Sequence, residues 1–183
     1  MIAVVVLLVV AVLLVVFVIK QYNSLVLLRN KTQNAWAQVD VVLRRRYDLV
    51  PNLVETVKGY AAHERETLEA VIQARSGAID ASAVADQADS ENMLSGALRR
   101  LFALSEAYPA LKADNNFMEL QKELVQTEGL IGYARGSYNE SVLAFNNKSQ
   151  VFPSNIIAGI FNFVLGDFFE TEDESADPPS VTF

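Results

Sequence analysis

The sequence predicts an all-α protein in which an N-terminal transmembrane helix runs into an antiparallel four-helix bundle with long helices. Three observations predict this fold: a continuous apolar run at the N-terminus, apolar residues that recur every three or four positions, and helix breakers at only a few places. We divide the chain into a transmembrane anchor (1–20), a four-helix bundle (21–150), an apolar segment on the membrane side (151–169) and a disordered acidic tail (170–183).

The predicted anchor rests on residues 2–19, which contain no polar or charged side chain and no Gly or Pro. A helix of that length is about 27 Å long, close to the thickness of a hydrocarbon core, roughly 30 Å. A cleaved signal peptide is the rival interpretation, but it expects a basic first region and small residues at a cleavage site, and neither occurs. The residues that we assign to the anchor include Ile2, Leu7, Leu8, Leu13, Leu14, Phe17 and Ile19.

Charge predicts the orientation of this anchor and excludes one class of partner. Lys20, Arg29 and Lys31 follow the apolar run, and basic residues favour the cytoplasmic side. We therefore expect a single-pass protein of the cell (inner) membrane with a short N-terminus outside and the bundle in the cytoplasm. The net charge of −7 argues against nucleic acid as a partner, since such proteins present basic surfaces.

Four apolar stripes at helical spacing predict the bundle. Small or polar residues interrupt each stripe, which favours a bundle over a uniform coiled coil. The stripes are Leu25, Leu28, Thr32, Ala35, Val39 and Val42; Val54, Val57, Ala61, Glu64, Leu68 and Val71; Leu94, Ala97, Leu101, Leu104 and Tyr108; and Phe117, Leu120, Leu124, Thr127, Ile131, Ala134, Tyr138, Ser141 and Phe145.

Prolines and small residues predict where the helices end. Val50-Pro51 predicts a boundary, with Pro51 as the first residue of the second helix. Ser76–Ser90 predicts a loop because small and polar residues dominate it, and Tyr108-Pro109 predicts the end of the third helix. Asp114 or Asn115 can cap the fourth helix, which we expect to run to about Asn147 and to stop before Pro153.

A second apolar segment follows the fourth helix. Four antiparallel helices would return the chain to the membrane, so this segment should emerge beside the bilayer. It could lie in the membrane interface, fold back onto the base of the bundle, or contact another copy. Its large apolar residues are Phe152, Ile156, Ile157, Ile160, Phe161, Phe163, Val164, Leu165, Phe168 and Phe169.

Three stretches carry a resemblance to a known family. They read YNSLVLLRNKTQNAWAQVDVVLRRRYDLVPNLVETVKGYAAHERETLEAV (22–71), SGALRRLFALSEAYPALKADNNFMELQKEL (95–124) and FPSNIIAGIF (152–161). Together they resemble the LemA family over roughly residues 22–169. The resemblance implies an N-terminal transmembrane helix, a helical body and no established catalytic residue. It also implies that some relatives shape membranes around organelle-like compartments, and that members lie near genes for a membrane metalloprotease.

Two features depart from an ordinary bundle helix. Gly129, Gly132 and Gly136 lie in the fourth helix, where they indicate either the close approach of a neighbouring helix or a hinge. Arg44, Arg45 and Arg46 lie about 38 Å beyond the anchor if the helix is continuous, which we interpret as the distal tip of the bundle. These arginines either compensate the dipole at a helix C-terminus or bind an acidic partner or an anionic membrane surface.

No constellation of catalytic or metal-binding residues is visible. The single histidine, His63, begins a HERET sequence, but position 67 is Thr where a zinc protease needs a second His. There is no Cys, no nucleophile motif and no phosphate-binding loop. We therefore expect no catalytic site, no cofactor and no metal.

The leading hypothesis is a membrane-anchored, non-enzymatic scaffold or interaction protein. Its partners would be the lipid bilayer and further copies of itself, and self-assembly would organise or shape the membrane. The alternative is an adaptor or regulator of a membrane enzyme such as a quality-control metalloprotease. An enzyme or metalloprotein is the third class considered, and nothing in the sequence favours it.

Overall fold

The computed structural model describes residues 1–170, and in that range the chain forms six helices and no strand. The helices are α1 (Ile2–Tyr60), α2 (Arg65–Asp80), α3 (Val84–Leu104), α4 (Pro109–Lys112), α5 (Asn115–Gln150) and α6 (Ser154–Ile160). The predicted all-α class, with a long apolar helix at the N-terminus and a helical bundle, is confirmed. The disordered acidic tail predicted for 170–183 lies, apart from Glu170, outside the described residues.

The helices belong to two compact units, and both α1 and α5 contribute to each. The first unit comprises Met1–Val41 and Gly132–Asp167, and the second comprises Val42–Ile131 and, of the remaining described residues, 168–170. In the first unit, α1 and α5 run antiparallel: Leu25 packs with Phe145, whereas the ring of Trp36, further along α1, lies 5.1 Å from that of Tyr138, earlier on α5.

The predicted stripes form the cores of these units. The stripe residues buried in the second unit are Val54, Val57, Ala61, Leu68, Val71, Leu94, Ala97, Leu101, Phe117, Leu124 and Ile131. Leu43, Val50 and Leu53 are also buried although no stripe included them, whereas Val42, Glu64, Leu104, Tyr108 and Leu120 are only partly buried. The polar members Thr127 and Ser141 are buried as well, and their hydroxyls donate to backbone carbonyls of their own helix. Helical spacing therefore identified the inward faces correctly.

The boundary predicted at Pro51 is wrong, because Pro51 lies inside α1. Proline has no backbone N–H, so it leaves the carbonyl four residues earlier without its helical donor. That carbonyl belongs to Tyr47, and Nε of Arg75 on α2 donates to it at 2.7 Å. A side chain from another helix thus satisfies the group that the proline frees, and α1 continues to Tyr60.

The loop predicted for Ser76–Ser90 is also wrong. α2 runs to Asp80 and α3 starts at Val84, so only three residues, 81–83, separate the helices. The stretch is rich in alanine, the best helix former, and the small Ala78 and Ala88 are buried where α2 and α3 pack. A break instead occurs at residues 61–64, where the hydroxyl of Tyr108 donates to Oε1 of Glu64 at 2.9 Å.

The start of α5 was predicted correctly. Oδ1 of Asp114 accepts a hydrogen bond of 2.9 Å from the backbone N–H of Phe117, as an N-terminal cap does. The predicted end of the third helix at Tyr108-Pro109 is displaced, because α3 ends at Leu104 and Pro109 begins the short α4. α5 ends at Gln150, three residues before Pro153, close to the expected position.

Among residues 1–170, no helix makes the close approach that was one interpretation of Gly129, Gly132 and Gly136. All three glycines are exposed, and a methyl group added at any of them would meet nothing within 4 Å. Both flanking stretches of α5 remain helical, so α5 is one continuous helix through these positions.

Candidate membrane-contact site

The first unit begins with the helical run that is long and apolar enough to cross a membrane. Of the helices among residues 1–170, only α1 meets this criterion, and none of its most apolar 18-residue window is buried within the chain. We call residues 2–19 the span. Large side chains such as Leu7, Leu13 and Ile19 are more than half exposed, so their burial requires an apolar environment outside the chain.

The chain after α5 packs against the end of this span. We call residues 152–167 the foot. Ile157 and Ala158 of the foot are buried together with Leu25 of α1 and Phe145 of α5, and Val18, Tyr22, Leu28 and Phe163 pack around them. Val18 belongs to the span itself, so the foot reaches the level at which the apolar run of α1 ends.

Aromatic rings continue this contact just beyond the span. The ring of Tyr22 lies 4.8 Å from that of Phe161 and 5.7 Å from that of Phe163. Tyr22 is three residues beyond Ile19, which corresponds to about 4.5 Å along a helix. Aromatic residues are enriched at this depth of a bilayer, so the ring cluster is suited to a membrane interface.

A helix C-terminal motif directs the foot onto α1. Asn162 has a φ of 52°, a left-handed conformation that Asn tolerates better than most residues. The N–H of Phe163 donates to the carbonyl of Ala158 at 2.9 Å, and the N–H of Asn162 donates to that of Gly159 at 3.4 Å. This is the Schellman pattern, and it turns the chain so that Phe163 faces the cluster.

Hydrogen bonds from α5 hold the rest of the foot. The buried amide of Asn146 donates to the carbonyl of Gly166 and accepts from its N–H, both at 2.9 Å. The hydroxyl of Tyr138 donates to the backbone carbonyl of Asp167 at 2.9 Å, and burial, helped by the charge of Asp167, raises the pKa of Tyr138. The foot is therefore an ordered element of the first unit.

The foot presents apolar side chains on its other face. Ile156 and Ile160 lie one turn apart on α6, away from the buried Ile157, and Val164 is 82% exposed. The large exposed side chains are Phe152, Ile156, Ile160, Phe161, Val164 and Leu165. The foot thus folds back so that one of its faces packs on α1 and α5, and its other face is exposed.

Four of the predicted contact residues are not on this open face. Ile157 is 5% exposed and Phe169 is 2% exposed, so neither can reach lipid or another copy, and Phe163 is half-buried against α1. Phe168 is 39% exposed but belongs, like Phe169, to the second unit. The alternation of inward and outward residues depends on the turn at Asn162, which the apolar composition did not indicate.

The arginine run does not form a tip. α1 continues past it to Tyr60, and the Arg46 side chain is only 3% exposed. Its Nη1 lies 3.0 Å from Oε2 of the fully buried Glu91 and 3.1 Å from Oε2 of Glu128, and its Nη2 donates to Ser95 at 2.8 Å. Arg46 is therefore a core residue of the second unit, and only Arg44 and Arg45 of the run are exposed.

Tyr47 extends the buried polar cluster around Glu91. Its hydroxyl donates to Oε1 of Glu91 and accepts from Nε2 of Gln87 at 3.0 Å. Gln87 also donates to the carbonyl of Ala78 at 2.9 Å. Burial and the neighbouring Glu91 carboxylate raise the pKa of Tyr47, so the phenol stays protonated. The burial of Gln87 and Glu91 was not predicted, because Gln87 lies in the loop predicted for Ser76–Ser90 and Glu91 directly follows it.

No metal centre is evident in the part of the chain that the structure describes. Among residues 1–170, no group of three or more His, Cys, Asp and Glu side chains could hold a metal ion. His63 is exposed in the break between α1 and α2, and it lies in no such group.

Comparison with known proteins identifies related chains. The model of the LemA family matches residues 35–183. Magnetosome protein MamQ 2 of Paramagnetospirillum magneticum is 25% identical over 88% of this chain and 69% of its own length. Protein LemA of Metamycoplasma hominis is 26% identical over 85% of this chain and 73% of its own length. Neither these names nor the family description denotes an enzyme.

Proposed function

Because the chain belongs to the LemA family, and is by its N-terminal helix a membrane-associated protein, we propose that it is a non-enzymatic membrane scaffold that organises the bilayer through self-assembly. Lys20, Arg29 and Lys31 follow the span and support an orientation with the short N-terminus outside and the body in the cytoplasm. The cell (inner) membrane is the location that this orientation implies.

The packing of the foot against the end of the span is the observation that carries the proposal. Val18 lies in the span and Tyr22 just beyond it, and both pack against the foot. The open face of the foot, with Ile156, Ile160 and Phe161, therefore lies where the hydrocarbon core gives way to the headgroups. A segment of this kind inserts into the interface, so each copy would hold the bilayer at two adjacent places.

The outward face of α1 supports self-assembly. Leu27 is 70% exposed and Val41 is 66% exposed, and the exposed amides Asn30 and Asn34 lie between them, so that the four residues follow one another at spacings of three, four and seven. Apolar residues with occasional Asn at this spacing are typical of helix–helix seams between copies. Because α1 is continuous with the span, the bilayer would hold two such faces at the same height.

The contact with lipid can be tested by site-directed spin labelling. The chain has no Cys, so Phe161→Cys gives a unique site, and Ile72→Cys is a matched control because both side chains are 49% exposed. In reconstituted vesicles, we expect lipid-soluble oxygen to relax the label at 161 and a water-soluble nickel complex to relax the label at 72. Equal access of the nickel complex to both labels would contradict the membrane contact.

Self-assembly can be tested by crosslinking in membranes followed by mass spectrometry. We expect crosslinks between copies, and we expect Leu27→Glu with Val41→Glu to reduce them, because a buried carboxylate in the seam is costly. Crosslinks to a foreign membrane protein instead would support the alternative function, an adaptor or regulator of a membrane protease. A protein that stays monomeric in lipid and leaves vesicle shape unchanged would contradict the scaffold.

A further inference from the structure

The charge of the first unit is opposite in sign to that of the whole chain. Residues 1–39 and 141–166 contain four basic residues, Lys20, Arg29, Lys31 and Lys148, and no Asp or Glu. All 22 Asp and Glu, and the other 11 of the 15 Lys and Arg, lie elsewhere in the chain. The first unit as a whole has five basic residues and three acidic ones, Asp40, Glu140 and Asp167, so it carries a net positive charge in a protein whose net charge is −7.

Two of the four cations, Arg29 and Lys148, are tied to the foot by contact, whereas Lys20 and Lys31 leave α1 on the opposite side from Arg29, because a helix turns by about 100° per residue. Lys20 directly follows the span. The guanidinium carbon of Arg29 lies 5.4 Å from the centre of the Phe163 ring, within the range of a cation–π contact. The backbone carbonyl of Lys148 accepts a hydrogen bond of 2.6 Å from the Ser154 hydroxyl at the start of α6. Lys31 follows Arg29 by two residues and is exposed.

The direction of helical side chains brings these charges closer to the bilayer. Side chains of an α-helix lean toward its N-terminus, and the N-terminus of α1 is the membrane-spanning end. The contact of Arg29 with Phe163 shows this direction, because Phe163 also packs against Tyr22, seven residues earlier on α1. Arg29 thus extends back to the foot, and Lys20 and Lys31 lean toward the bilayer from the opposite side of α1, so the cations surround the span and the foot together.

We propose that the foot and these four cations form one docking surface for acidic phospholipid headgroups. The inference rests on the proposed function, since it requires that the foot meets the bilayer, and it adds the class of lipid that is recognised. The open apolar face would enter the acyl boundary, while Lys20, Arg29, Lys31 and Lys148 attract anionic headgroups around it. Basic clusters beside a membrane segment bind acidic lipids in this way.

The test compares two lipids on the full-length protein in vesicles. A donor fluorophore is placed at Val164→Cys on the open face of the foot, which the absence of native Cys makes specific. Phosphatidylglycerol or phosphatidylcholine carrying the same acyl-chain acceptor is then added at equal fractions. We expect roughly 5-fold stronger association of phosphatidylglycerol at low salt, declining toward equality at about 0.5 M salt because salt screens exposed charges.

Two variants that remove the same number of charges identify the source of the preference. Replacing Lys20, Arg29, Lys31 and Lys148 by Gln should abolish the preference, whereas replacing the exposed Arg45, Arg65, Arg100 and Lys122 of the second unit by Gln should retain it. Helix content measured by circular dichroism reports whether each variant folds. If the first variant fails to fold, the salt dependence of the unmodified protein decides, since a preference that salt does not weaken overturns the proposal.

The result separates this inference from the proposed function. Energy transfer to both lipids without preference would overturn the headgroup surface and leave the membrane foot standing. No energy transfer to either lipid would overturn the membrane foot, and the headgroup surface with it.

Discussion

Tyr47 and Arg46 are neighbours in the sequence, and both side chains end on the same buried carboxylate, Glu91. A buried charge is tolerated only when it is paired and hydrogen-bonded, and here Arg46 supplies the charge while Tyr47 supplies a second donor. Gln87 completes the cluster by donating to the Tyr47 oxygen. At the residue scale, the second unit therefore contains a buried polar cluster in which each side chain forms a hydrogen bond or an ion pair with another.

Removing one hydroxyl should therefore destabilise the protein. Tyr47→Phe leaves one oxygen of Glu91 without this donor and Gln87 without this acceptor, at an expected cost of about 1–3 kcal/mol. Urea unfolding in lipid nanodiscs measures the change. Tyr133→Phe, at a side chain that is 79% exposed, is the control, and equal stability of the two variants would contradict the role of the cluster.

Asp114 gives the second prediction at this scale. Its hydrogen bonds from the Phe117 N–H and the Tyr60 hydroxyl hold its pKa below the ordinary value of 3.8. A lowered pKa stabilises the fold above the ordinary value, and that stabilisation is lost as the pH falls below 3.8 through the folded value. Asp114→Asn should keep the cap but flatten the decline in stability between about pH 5 and pH 2. An unchanged acid profile would contradict it.

At the scale of the helix, α1 shows how a proline can lie inside a long helix. Pro51 cannot donate to the Tyr47 carbonyl, and Arg75 of α2 does so instead. The same contact ties α2 to α1, so the irregularity in one helix fixes the position of the next. The dipeptide Val50-Pro51 signals a boundary by local rules, and a residue 24 positions later decides otherwise.

A double-mutant cycle tests this compensation. Arg75→Gln should cost about 1–3 kcal/mol because it leaves the Tyr47 carbonyl without this donor. In a Pro51→Ala background the cost should be much smaller, since the new N–H at position 51 can donate in its place, and the coupling should be at least about 0.5 kcal/mol. Arg65→Gln on the same helix is the control, and additive effects of Pro51→Ala and Arg75→Gln would contradict the mechanism.

The open glycines of α5 give a prediction of opposite sign. Gly132→Ala and Gly136→Ala should each stabilise the protein by about 1 kcal/mol, because Ala favours a helix and the added methyl group meets nothing within 4 Å. Thermal unfolding measures the gain, and Ala144→Gly at an exposed position of the same helix should cost a similar amount. A loss of self-association in either alanine variant would instead indicate that these glycines contact another copy.

At the scale of the whole molecule, the first unit, residues 1–41 and 132–167, contains the span, the foot and the basic residues Lys20, Arg29, Lys31 and Lys148. The span alone would anchor the chain but leave it free to rotate about the helix axis. In the membrane contact that we propose, the foot would add a second contact to one side of the span and so would fix the direction that each copy faces. A fixed direction is what a scaffold requires, because repeated contacts between copies then occur in one geometry.

Substitutions on the two faces of α6 should separate stability from membrane contact. Ile156→Ser with Ile160→Ser removes exposed apolar side chains, so stability should change by less than about 0.5 kcal/mol while oxygen access to a label at 161 falls. Ile157→Ala removes a buried side chain and should cost about 2–5 kcal/mol. If the double serine variant keeps full contact with lipid, the open face of the foot is not the membrane surface.

Local patterns determined a large part of this protein. The length and apolarity of residues 2–19 identify the span, and the spacing from Phe117 to Phe145 identifies the inward face of α5, because both depend on residues close in sequence. The family was also evident in the sequence, because the family match over residues 35–183 depends on the order of the residues and not on their contacts in the fold.

Tertiary contacts decided the rest. Pro51 stays helical because Arg75 donates to the Tyr47 carbonyl that the proline frees. α2 and α3 leave only residues 81–83 of the predicted loop between them, next to the contacts of Tyr47 with Gln87 and of Arg46 with Glu91. The foot divides into a packed face and an open face only because Asn162 turns Phe163 onto α1. In each case the deciding partner is distant in sequence, and composition alone does not specify which distant residues will meet.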